Sequence, residues 1–579
     1  MRRSFQKLFP YLWRYRRGLF WGMGALIVKD IAAAMQPLIL GAGIDSLTRG
    51  FALSKVLWLS ALLVGLSAFK GLFQYWMRVI LIGMSRDIEF DLRNSLYEHL
   101  VTLSSDFYSK YRTGDIMARA TNDLGAVRMM LGPGLMYWTE TMLTFILAVG
   151  VMAWVDWPLT LVALIPAPVV SVVVVLFGRM IHTRFEKIQG MFSDISSRVQ
   201  ENLAGVRVVR AYVQEEAELK NFDRLNEEYV RRNISLARAS GMFMPLLQAL
   251  IGVAFLIVLW AGGTRLLAHK LSLGNFVMFN VYMGMLVWPM IALGWVVNLM
   301  QRGNASLARI YEMIKERPTI AAPANPKPLE HVRGEIEFRG VRMQYAGMAA
   351  LNHVSLRIPA GSTIAIVGHT GSGKSTLVHL IPRMMDPTEG TVLVDGNDIR
   401  EYSPGDLRSN IGFVPQETFL FSASLSDNIA FGVKTATKEQ IEAAAALAGL
   451  SADIADFPEG LGTMVGERGI TLSGGQKQRT AIARAVLRNP QILILDDALS
   501  SVDTMTEERI LTGLQEMMQG RTTILISHRV STVRHADRIF VLEHGSIVEQ
   551  GNHSDLIGKG GYYAGLYQKQ LLEEELEAI

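Results

Sequence analysis

A glycine-rich stretch, Gly368–Thr376, has the residue types and the spacing that are needed to hold a phosphate group. It lies between the apolar runs Ile364–Val367 and Leu377–Ile381, which predicts a strand, a loop and a helix in succession. Glycines let successive backbone N–H groups point at one anion, and the helix start adds its positive dipole end. An ordinary glycine-rich turn is the alternative, and the complete pattern in this context disfavours it. The residues assigned to phosphate binding are Gly368, Thr370, Gly371, Ser372, Gly373, Lys374, Ser375 and Thr376.

A buried strand that ends in carboxylates, Gln491–Asp497, supplies a candidate metal ligand. At the carboxyl end of a parallel strand, Asp496 can hold Mg²⁺ or its water, and the Ser375 hydroxyl can ligate the same ion. Lys374 can reach the outer phosphates of a nucleotide. An apolar strand ending in Asp is common by itself, but its pairing with the glycine-rich loop predicts ATP and Mg²⁺ as cofactors.

A second anion site is predicted at Leu472–Gln476, where two glycines precede the start of a helix. A single nucleotide needs only one such helix start. We therefore expect the second to serve a nucleotide held by another copy of the domain, so that two domains would enclose ATP head to tail.

The composition is uneven along the 579 residues, of which 50% are hydrophobic. Long apolar runs fill the first 300 residues or so, and the remainder is typical of soluble α/β protein. The net charge of +4 gives no reason to expect nucleic-acid binding. The sequence contains no cysteine, which excludes disulfides, thiolate metal sites and thiol nucleophiles.

Six apolar segments are long enough to cross a bilayer, which takes about 20 residues each. The basic residues before the first of them predict a cytoplasmic N-terminus, and an even number of spans returns the C-terminal half to the same side. A cleaved signal peptide, ending near Ala32–Ala34, is the alternative for the first segment. The predicted spans are Gly18–Leu40, Val56–Met84, Leu135–Trp154, Trp157–Phe177, Met244–Leu266 and Phe276–Leu299, and the basic residues are Arg2, Arg3, Lys7, Arg14, Arg16 and Arg17.

The connections between the spans are unequal. Those at 41–55, 155–156 and 267–275 are short, whereas 85–133 and 178–245 are charged and helical in pattern, which predicts long helices that extend into the cytoplasm. Short transverse helices near Tyr111–Ile116 and Arg210–Glu215 could press on a soluble domain, and solvated helical hairpins are the equal alternative. A proline-rich linker then predicts three regions: a membrane domain at 1–317, a linker at 318–333 and a nucleotide-binding domain at 334–579.

Several ionisable residues fall within the predicted spans, namely Lys29, Asp30, Lys70, Arg78 and Glu140. Such charges cost about 2.5–3.5 kcal/mol on insertion scales and usually face a bundle interior or a watery cavity. Lys29 and Asp30 are adjacent, so their side chains point about 100° apart and we predict no good pair between them. We predict instead that Asp30 pairs with Lys70. A snorkelling lysine and a polar packing site form the alternative, and the sequence leaves open whether these residues line a cavity.

The segments Gly368–Thr376, Leu472–Gln476 and Leu493–Asp497, followed by His528, resemble the nucleotide domain of ATP-binding cassette (ABC) transporters. Six spans precede them, as in ABC exporter half-transporters, and the resemblance covers nearly the whole chain. It implies a multidomain protein: an all-α six-helix transmembrane domain with long cytoplasmic extensions, then an α/β P-loop ATPase domain with an antiparallel β subdomain and a helical subdomain.

The resemblance also implies roles for single residues. Tyr345 would stack on adenine, Gln416 would contact Mg²⁺, and His528 would contact the γ-phosphate. Glu467 would lie near a coupling helix. The γ-phosphate of the nucleotide on the opposite subunit would be bound by Ser473, Gly475 and Gln476.

One position departs from the family pattern. Asp497 stands where the family usually has Glu, the residue that orients the attacking water. The missing methylene shortens its reach, and a misplacement of about 1 Å can lower a rate about 10²-fold. This resembles the degenerate subunit of heterodimeric exporters. We therefore predict a heterodimer with a second half-transporter whose own site is complete; a homodimer that tolerates Asp is the alternative.

The expected function is ATP-driven export of an amphipathic or lipophilic substrate across the bacterial cytoplasmic (inner) membrane, with both termini cytoplasmic. The expected partners are a second half-transporter, membrane lipid and a small-molecule or lipid substrate, without nucleic acid. Two other classes remain open: an ATP-binding regulatory subunit with no cargo path of its own, and an ATP-gated channel. The sequence does not identify the substrate.

Overall fold

The computed structural model describes residues 10–50, 53–329, 331–345, 347–466 and 472–577. Arg2, Arg3, Lys7 and Glu467, named above, lie outside these ranges. The chain divides into two compact units. The first comprises Met1–Val101 and Tyr111–Glu316, and the second comprises Thr102–Lys110 and Arg317–Ile579.

The first unit is helical, and six of its helical stretches are long and apolar enough to cross a membrane, as predicted. These candidate spans are Arg16–Thr48, Leu53–Thr102, Thr113–Leu164, Pro166–Ala204, Glu215–Leu267 and Leu273–Lys315. The helices of this part of the chain are α1 Arg16–Arg49, α2 Leu53–Thr102, α3 Ser105–Lys110, α4 Thr113–Ala118, α5 Leu124–Met129, α6 Leu135–Leu164, α7 Pro166–Ala204, α8 Val206–Ala211, α9 Glu215–Leu267 and α10 Leu273–Lys315, with π-helical turns at Arg119–Asp123 and Met130–Gly134.

Several of these helices are much longer than a bilayer is thick. Helix α7 has 39 residues and α9 has 53, which correspond to about 60 and 80 Å at the usual rise per residue. The hydrocarbon core of a bilayer is about 30 Å thick. The predicted helical extensions are therefore present, and the short helices α3 and α8 follow the ends of α2 and α7.

The break between the third and fourth predicted spans falls at Asp156, as expected. Its backbone is extended, with φ −154° and ψ 98°, inside an otherwise helical run. Asp156 Oδ1 accepts a hydrogen bond from Leu159 N at 3.0 Å, which caps the helical segment that begins after it. Arg265 of α9 lies 2.8 Å from Asp156 Oδ2. This buried aspartate therefore ends one helical segment, starts the next and binds a third.

Helix α3 belongs to the second compact unit rather than the first. Ser105 Oγ lies 3.4 Å from Met384 O and donates to it, and Thr319 N donates to Ser104 Oγ at 3.1 Å. The segment Tyr111–Ile116, where a short transverse helix is one of the two predicted alternatives, leads into α4 and belongs to the first unit.

The charges inside the first unit pair differently from our prediction. Lys29 Nζ lies 2.9 Å from Asp30 Oδ1 and 2.5 Å from Glu140 Oε1, so it bridges α1 and α6. The prediction that Lys29 and Asp30 would not pair was wrong, because the four-carbon stem of lysine bends back across the 100° between adjacent residues. Asp30 pairs with Lys29 and not with Lys70. Lys29 and Asp30 are each only 3% exposed.

Replacing Lys29 by methionine is expected to destabilise the first unit, since the Asp30 carboxylate would stay buried without its cation. Removing one partner of a buried ion pair typically costs about 3–5 kcal/mol. Denaturant unfolding of the detergent-solubilised protein measures the change. Arg78→Met is the control, because it removes the same charge from an exposed side chain of α2. Equal destabilisation by the two variants would contradict the bridging role.

The second unit contains two sheets. A four-stranded antiparallel sheet has the order β2-β1-β4-β5, and a six-stranded sheet has the order β10-β9-β3-β8-β7-β6. In the larger sheet β6, β7, β8, β3 and β9 are parallel, and β10 is antiparallel to β9. The strands are β1 Ile336–Tyr345, β2 Met348–Ile358, β3 Thr363–Val367, β4 Glu389–Val394, β5 Asn397–Asp398, β6 Ile411–Val414, β7 Ile492–Asp496, β8 Thr522–Ile526, β9 Arg538–Glu543 and β10 Ser546–Gly551.

Helices cover the larger sheet, which agrees with the predicted α/β domain. Its inner strands β3, β7 and β8 are buried along almost their whole length, as their continuous apolar runs require. The helices are α11 Lys374–Leu380, α12 Pro404–Ser409, α13 Leu425–Ala430, α14 Lys438–Leu447, α15 Ser451–Asp456, α16 Gly474–Leu487, α17 Thr504–Met518, α18 Val530–Val533, α19 His553–Lys559 and α20 Tyr562–Glu577, with 3₁₀ turns at Ile399–Glu401 and Gly460–Gly462.

Candidate functional site

The carboxyl edge of the parallel strands brings the predicted residues together. The glycine-rich loop follows β3, Gln416 follows β6, Asp496 ends β7, and His528 follows β8. Because these strands run in the same direction, all four segments meet at one edge of the sheet, where α/β proteins bind their ligands. Residues separated by up to about 160 positions in sequence therefore line one cleft.

The glycine-rich loop wraps around the side chain of Lys374. Lys374 Nζ donates to Gly368 O and to His369 O, both at 2.8 Å. Gly373 has φ 103°, and a Cβ atom at this position would lie 2.4 Å from Ala350 O. The close packing of the loop on β2 thus requires glycine, as the motif predicts.

The Ser372 hydroxyl is a buried polar group of the glycine-rich loop. Ser372 is buried, and its Oγ has no hydrogen-bond partner among the described residues. A buried hydroxyl that forms no hydrogen bond is costly, so a loop of this kind favours an acceptor such as a phosphate oxygen. The residues present fit a bound phosphate.

Ser375 and Asp496 are in contact across the cleft. Ser375 Oγ lies 3.1 Å from Asp496 Oδ1 and donates to it. A hydroxyl, a carboxylate and the amide oxygen of Gln416 on the same cleft are the hard oxygen donors that Mg²⁺ prefers. The ligand types therefore fit magnesium held jointly by these side chains and nucleotide phosphates.

The cleft has a volume of about 250 Å³. Tyr345, at the end of β1, lies at its rim with 40% of its surface exposed. Ala350 and Ile526 also line it, and no sequence motif marks them. The lining residues are Tyr345, Ala350, Thr370, Gly371, Gly373, Lys374, Ser375, Thr376, Gln416, Asp496, Asp497, Ile526 and His528.

Burial disfavours the charged forms of several groups in the cleft. It lowers the pKa of Lys374, against the opposing effect of Asp497 and Asp496, and it raises the pKa of Asp496 despite the hydrogen bond from Ser375. Burial, together with the charge of Lys374, lowers the pKa of His528. Burial also lowers the pKa of His379, which lies on α11 and is not part of the cleft lining. A triphosphate with Mg²⁺ would supply counter-charges to both the lysine and the carboxylate.

Asp497 has an unusual backbone. Its φ is +50°, in the left-handed region that few residues other than Gly, Asn and Asp adopt. Its N–H donates to Ile526 O at 2.9 Å, and its carbonyl accepts from Ser500 Oγ at 3.0 Å. The side chain lines the cleft, next to Asp496 and His528.

The second anion site forms a well-capped helix start. Ser473 Oγ accepts from Gln476 N at 3.3 Å, and Gln476 Oε1 accepts from Ser473 N at 2.9 Å, which is a capping box. Gln476 also donates to Asp453 at 2.9 Å. Among the described residues, the lining of the ATP cleft includes none of Ser473, Gly475 and Gln476. The geometry therefore separates the two predicted anion-binding segments within one chain.

Gln478 connects the two sites and was missed by the sequence reasoning. Its Oε1 accepts from Ser501 N at 2.9 Å, and its Nε2 donates to Ser500 Oγ at 3.0 Å, with the Asp497 carbonyl 3.5 Å away. The side chain is buried. The segment that follows Asp497 is thereby fixed to the helix that begins at Gly474.

Family comparisons agree with this geometry. Residues 19–290 match the ABC transporter transmembrane region, and residues 351–500 match the ABC transporter domain. The chain is 39% identical over 553 residues to "Probable multidrug resistance ABC transporter ATP-binding/permease protein YheI" of Bacillus subtilis (strain 168), covering 94% of each chain. It is 37% identical over 579 residues to "Multidrug resistance-like ATP-binding protein MdlA" of Escherichia coli (strain K12), covering 99% of this chain and 98% of that one.

This chain belongs to the ABC transporter family, as an exporter half-transporter. A solved structure, "Structure of a bacterial Atm1-family ABC exporter with ATP bound", superposes with a TM-score of 0.79 at 28% identity and covers 96% of this chain and 98% of that one. The predicted fold class is thus confirmed: a six-helix transmembrane domain followed by a nucleotide-binding ABC domain.

Acidification is expected to destabilise the ABC domain. The pKa values of His379 and His528 are lower in the folded protein than the ordinary histidine value of about 6.5, so the unfolded chain takes up more protons as the pH falls through that range. The free energy of unfolding should therefore keep its full value above about pH 7 and decrease as the pH is lowered further. Thermal unfolding followed against pH checks this.

His379→Gln should make that pH dependence shallower, because it removes one of the described histidines whose pKa burial lowers, a group that also includes His528 and His553. His535→Gln, at an exposed histidine, is the matched control and should leave the slope unchanged. If the His379 variant kept the full wild-type slope, the assignment of the effect to half-buried His379 would be wrong.

Proposed function

We propose that this half-transporter drives the outward movement of an amphipathic or lipophilic substrate by ATP binding and hydrolysis within a dimer. The observation that carries the proposal is the cleft in which Lys374, Ser375 and Asp496 converge, in a chain that also has six membrane-spanning helices. The lysine and the loop amides bind the phosphates, and Ser375, Gln416 and Asp496 hold Mg²⁺. Tyr345 stacks on the adenine, and His528 contacts the γ-phosphate.

The nucleotide is shared between two subunits in this proposal. Lys374 and its loop belong to one subunit, and the Ser473–Gln476 helix start of the other closes over the γ-phosphate. The separation of these two elements within one chain supports this arrangement, because a nucleotide in the cleft leaves the second anion site without a ligand. Closing of the two domains on ATP moves the helical extensions and turns the membrane cavity outward, and hydrolysis resets it.

A complementation experiment tests the shared site. Lys374→Ala and Gly475→Asp should each abolish ATP hydrolysis when introduced into all subunits of a homodimer. A mixture of the two variants should regain about a quarter of the wild-type activity, because half of the dimers are mixed and each mixed dimer has one intact site out of two. Steady-state ATPase assays on the mixture measure this.

Mixtures of differently tagged wild-type chains provide the control for subunit exchange. Exchange without any recovery of activity would contradict the shared site. For a heterodimer, Gly475→Asp in this chain should instead inactivate the site that contains the partner's lysine.

Asp497 supports a heterodimer in which this chain's own site is slow. Phosphoryl transfer depends on positioning, and a carboxylate that falls about 1 Å short orients the attacking water poorly. The Leu472–Gln476 segment is intact, so it can complete the faster site of a partner subunit.

Asp497 also favours a second candidate function, a regulatory subunit with no cargo path of its own. Photoaffinity substrates that label only the partner's spans would support that candidate.

Asp497→Glu is expected to raise ATP turnover at this chain's site, by up to about 10²-fold if reach alone limits the rate. Asp497→Asn is the matched control, because it keeps the length but removes the charge. Steady-state ATPase of the purified chain, with and without a candidate partner half-transporter, measures both. Strong ATPase of this chain alone that Asp497→Asn abolishes would overturn the slow-site proposal.

The location follows from the same reasoning. We propose an integral protein of the bacterial cytoplasmic (inner) membrane with both termini in the cytoplasm, where ATP is available, and with lipid around the spans. The described basic residues before and at the start of α1, Arg14, Arg16 and Arg17, support this orientation. Protease protection in inverted vesicles checks it, since cleavage in the ABC domain should require no detergent.

A further inference from the structure

The loop that carries His528 is held from outside by helix α20. Gln570 Nε2 donates to His528 O at 2.5 Å, and Gln570 Oε1 accepts from Val530 N at 2.7 Å. The Gln570 amide thus uses both its donor and its acceptor, on the two backbone groups that flank Arg529. Because the His528 carbonyl and imidazole share one Cα atom, a shift of this carbonyl moves the ring relative to the cleft.

The same loop is held from inside by a buried carboxylate. Glu507 is 2% exposed and accepts hydrogen bonds from Arg529 and from Thr532. Arg529 Nη1 also donates to Val502 O at 2.9 Å. The loop is therefore held between Glu507 on one side and Gln570 on the other. Of these two side chains, Gln570 bonds the His528 carbonyl, while Arg529 N, in the same peptide group, donates to Ser527 Oγ at 3.0 Å.

The other end of α20 contacts the glycine-rich loop. The ring of Tyr562 meets the ring of His369 edge to face, with centroids 4.6 Å apart. The His369 carbonyl accepts one of the two hydrogen bonds that Lys374 Nζ donates to its own loop. Tyr562 N donates to Glu549 Oε1 of β10 at 2.6 Å, which anchors the start of α20 with a carboxylate at its positive end.

Tyr562 and Gln570 lie eight residues apart on one helix. At 100° per residue this places them within about 80° of each other around the axis and about 12 Å apart along it. One rigid element thus touches the loop that surrounds Lys374 and the loop that carries His528. Neither contact involves a residue of the cleft lining itself other than His528.

We propose that Tyr562 and Gln570 are positioning residues of the ATP site, and that α20 sets the distance between the phosphate loop and His528. Gln570 acts through His528 and so affects the recognition of the γ-phosphate. Tyr562 acts through the glycine-rich loop and so affects the binding of every nucleotide that has a β-phosphate. The inference rests on the proposed function only in taking ATP as the ligand and His528 as its γ-phosphate contact.

Equilibrium binding of fluorescent ATP and ADP analogues to the full-length protein tests the proposal without requiring turnover. Gln570→Leu should lower the ratio of ATP to ADP affinity about three- to tenfold, the size expected for a lost hydrogen bond. Tyr562→Ala should lower both affinities by a similar factor, and Tyr562→Phe should restore them, because the contact uses the ring. Gln568→Leu, at an exposed position of the same helix, is the control and should change neither.

A second background separates positioning from general stability. With His528→Ala already present, Gln570→Leu should cause no further change in the affinity ratio, whereas a merely structural role would still lower it. If Gln570→Leu does not fold, as judged by thermal unfolding, Gln570→Glu keeps the acceptor for Val530 N but replaces the donor to His528 O by a carboxylate oxygen, and should lower the ratio in the same way. An unchanged ratio in a folded Gln570 variant would overturn the inference alone. Wild-type protein that binds neither nucleotide would overturn the proposed function as well.

Discussion

The structure of the ABC domain depends on one constraint: the buried ammonium group of Lys374 is held by backbone carbonyls and, among the described residues, forms no ion pair with a carboxylate. Lys374 uses two of its three N–H donors on carbonyls of its own loop, Gly368 O and His369 O. This is possible only because the loop curls around the side chain, and the curl requires glycine at 373 against the Ala350 carbonyl. Carbonyls satisfy these two donors but not the charge, so the site keeps an affinity for anions that a salt bridge would cancel.

The helix start at Ser473 differs from the one at Lys374 in how its backbone N–H groups are hydrogen-bonded. At Ser473 the capping box uses the chain's own side chains, so this end is stable without a ligand. A helix start that is stable without a ligand fits the proposed role of binding a nucleotide held by another subunit. Gln478 fixes the segment after Asp497 to this helix, so a displacement of the helix reaches the residue beside Asp496. In the proposed dimer, Gln478 would thus couple the site that this chain holds to the site that it completes in its partner.

Much of this organisation could be read from the sequence, because the decisive features are local. Each of these features lies in one continuous segment, and a short pattern specifies it. They are the strand, loop and helix around Lys374, the carboxylate at the end of β7, and the six apolar spans. A local sequence pattern does not predict a contact that depends on side-chain conformation or on a distant element. The Lys29–Asp30 pair was mispredicted because helix geometry fixes where a side chain leaves the backbone and not where a long flexible stem ends. Gln570 and Gln478 carry no motif, and only the fold brings them to the loops they hold.

The backbone of Asp497 bears on whether this residue is simply a shortened glutamate. A φ of +50° is easier for Asp than for Glu, because a short side chain can interact with its own backbone in the left-handed region. Its N–H and carbonyl are both bonded, to Ile526 and Ser500, so the turn is imposed by its neighbours. Aspartate therefore relieves backbone strain at the cost of reach into the cleft. In the proposed heterodimer this loss of reach matters little, because the partner subunit carries the faster site.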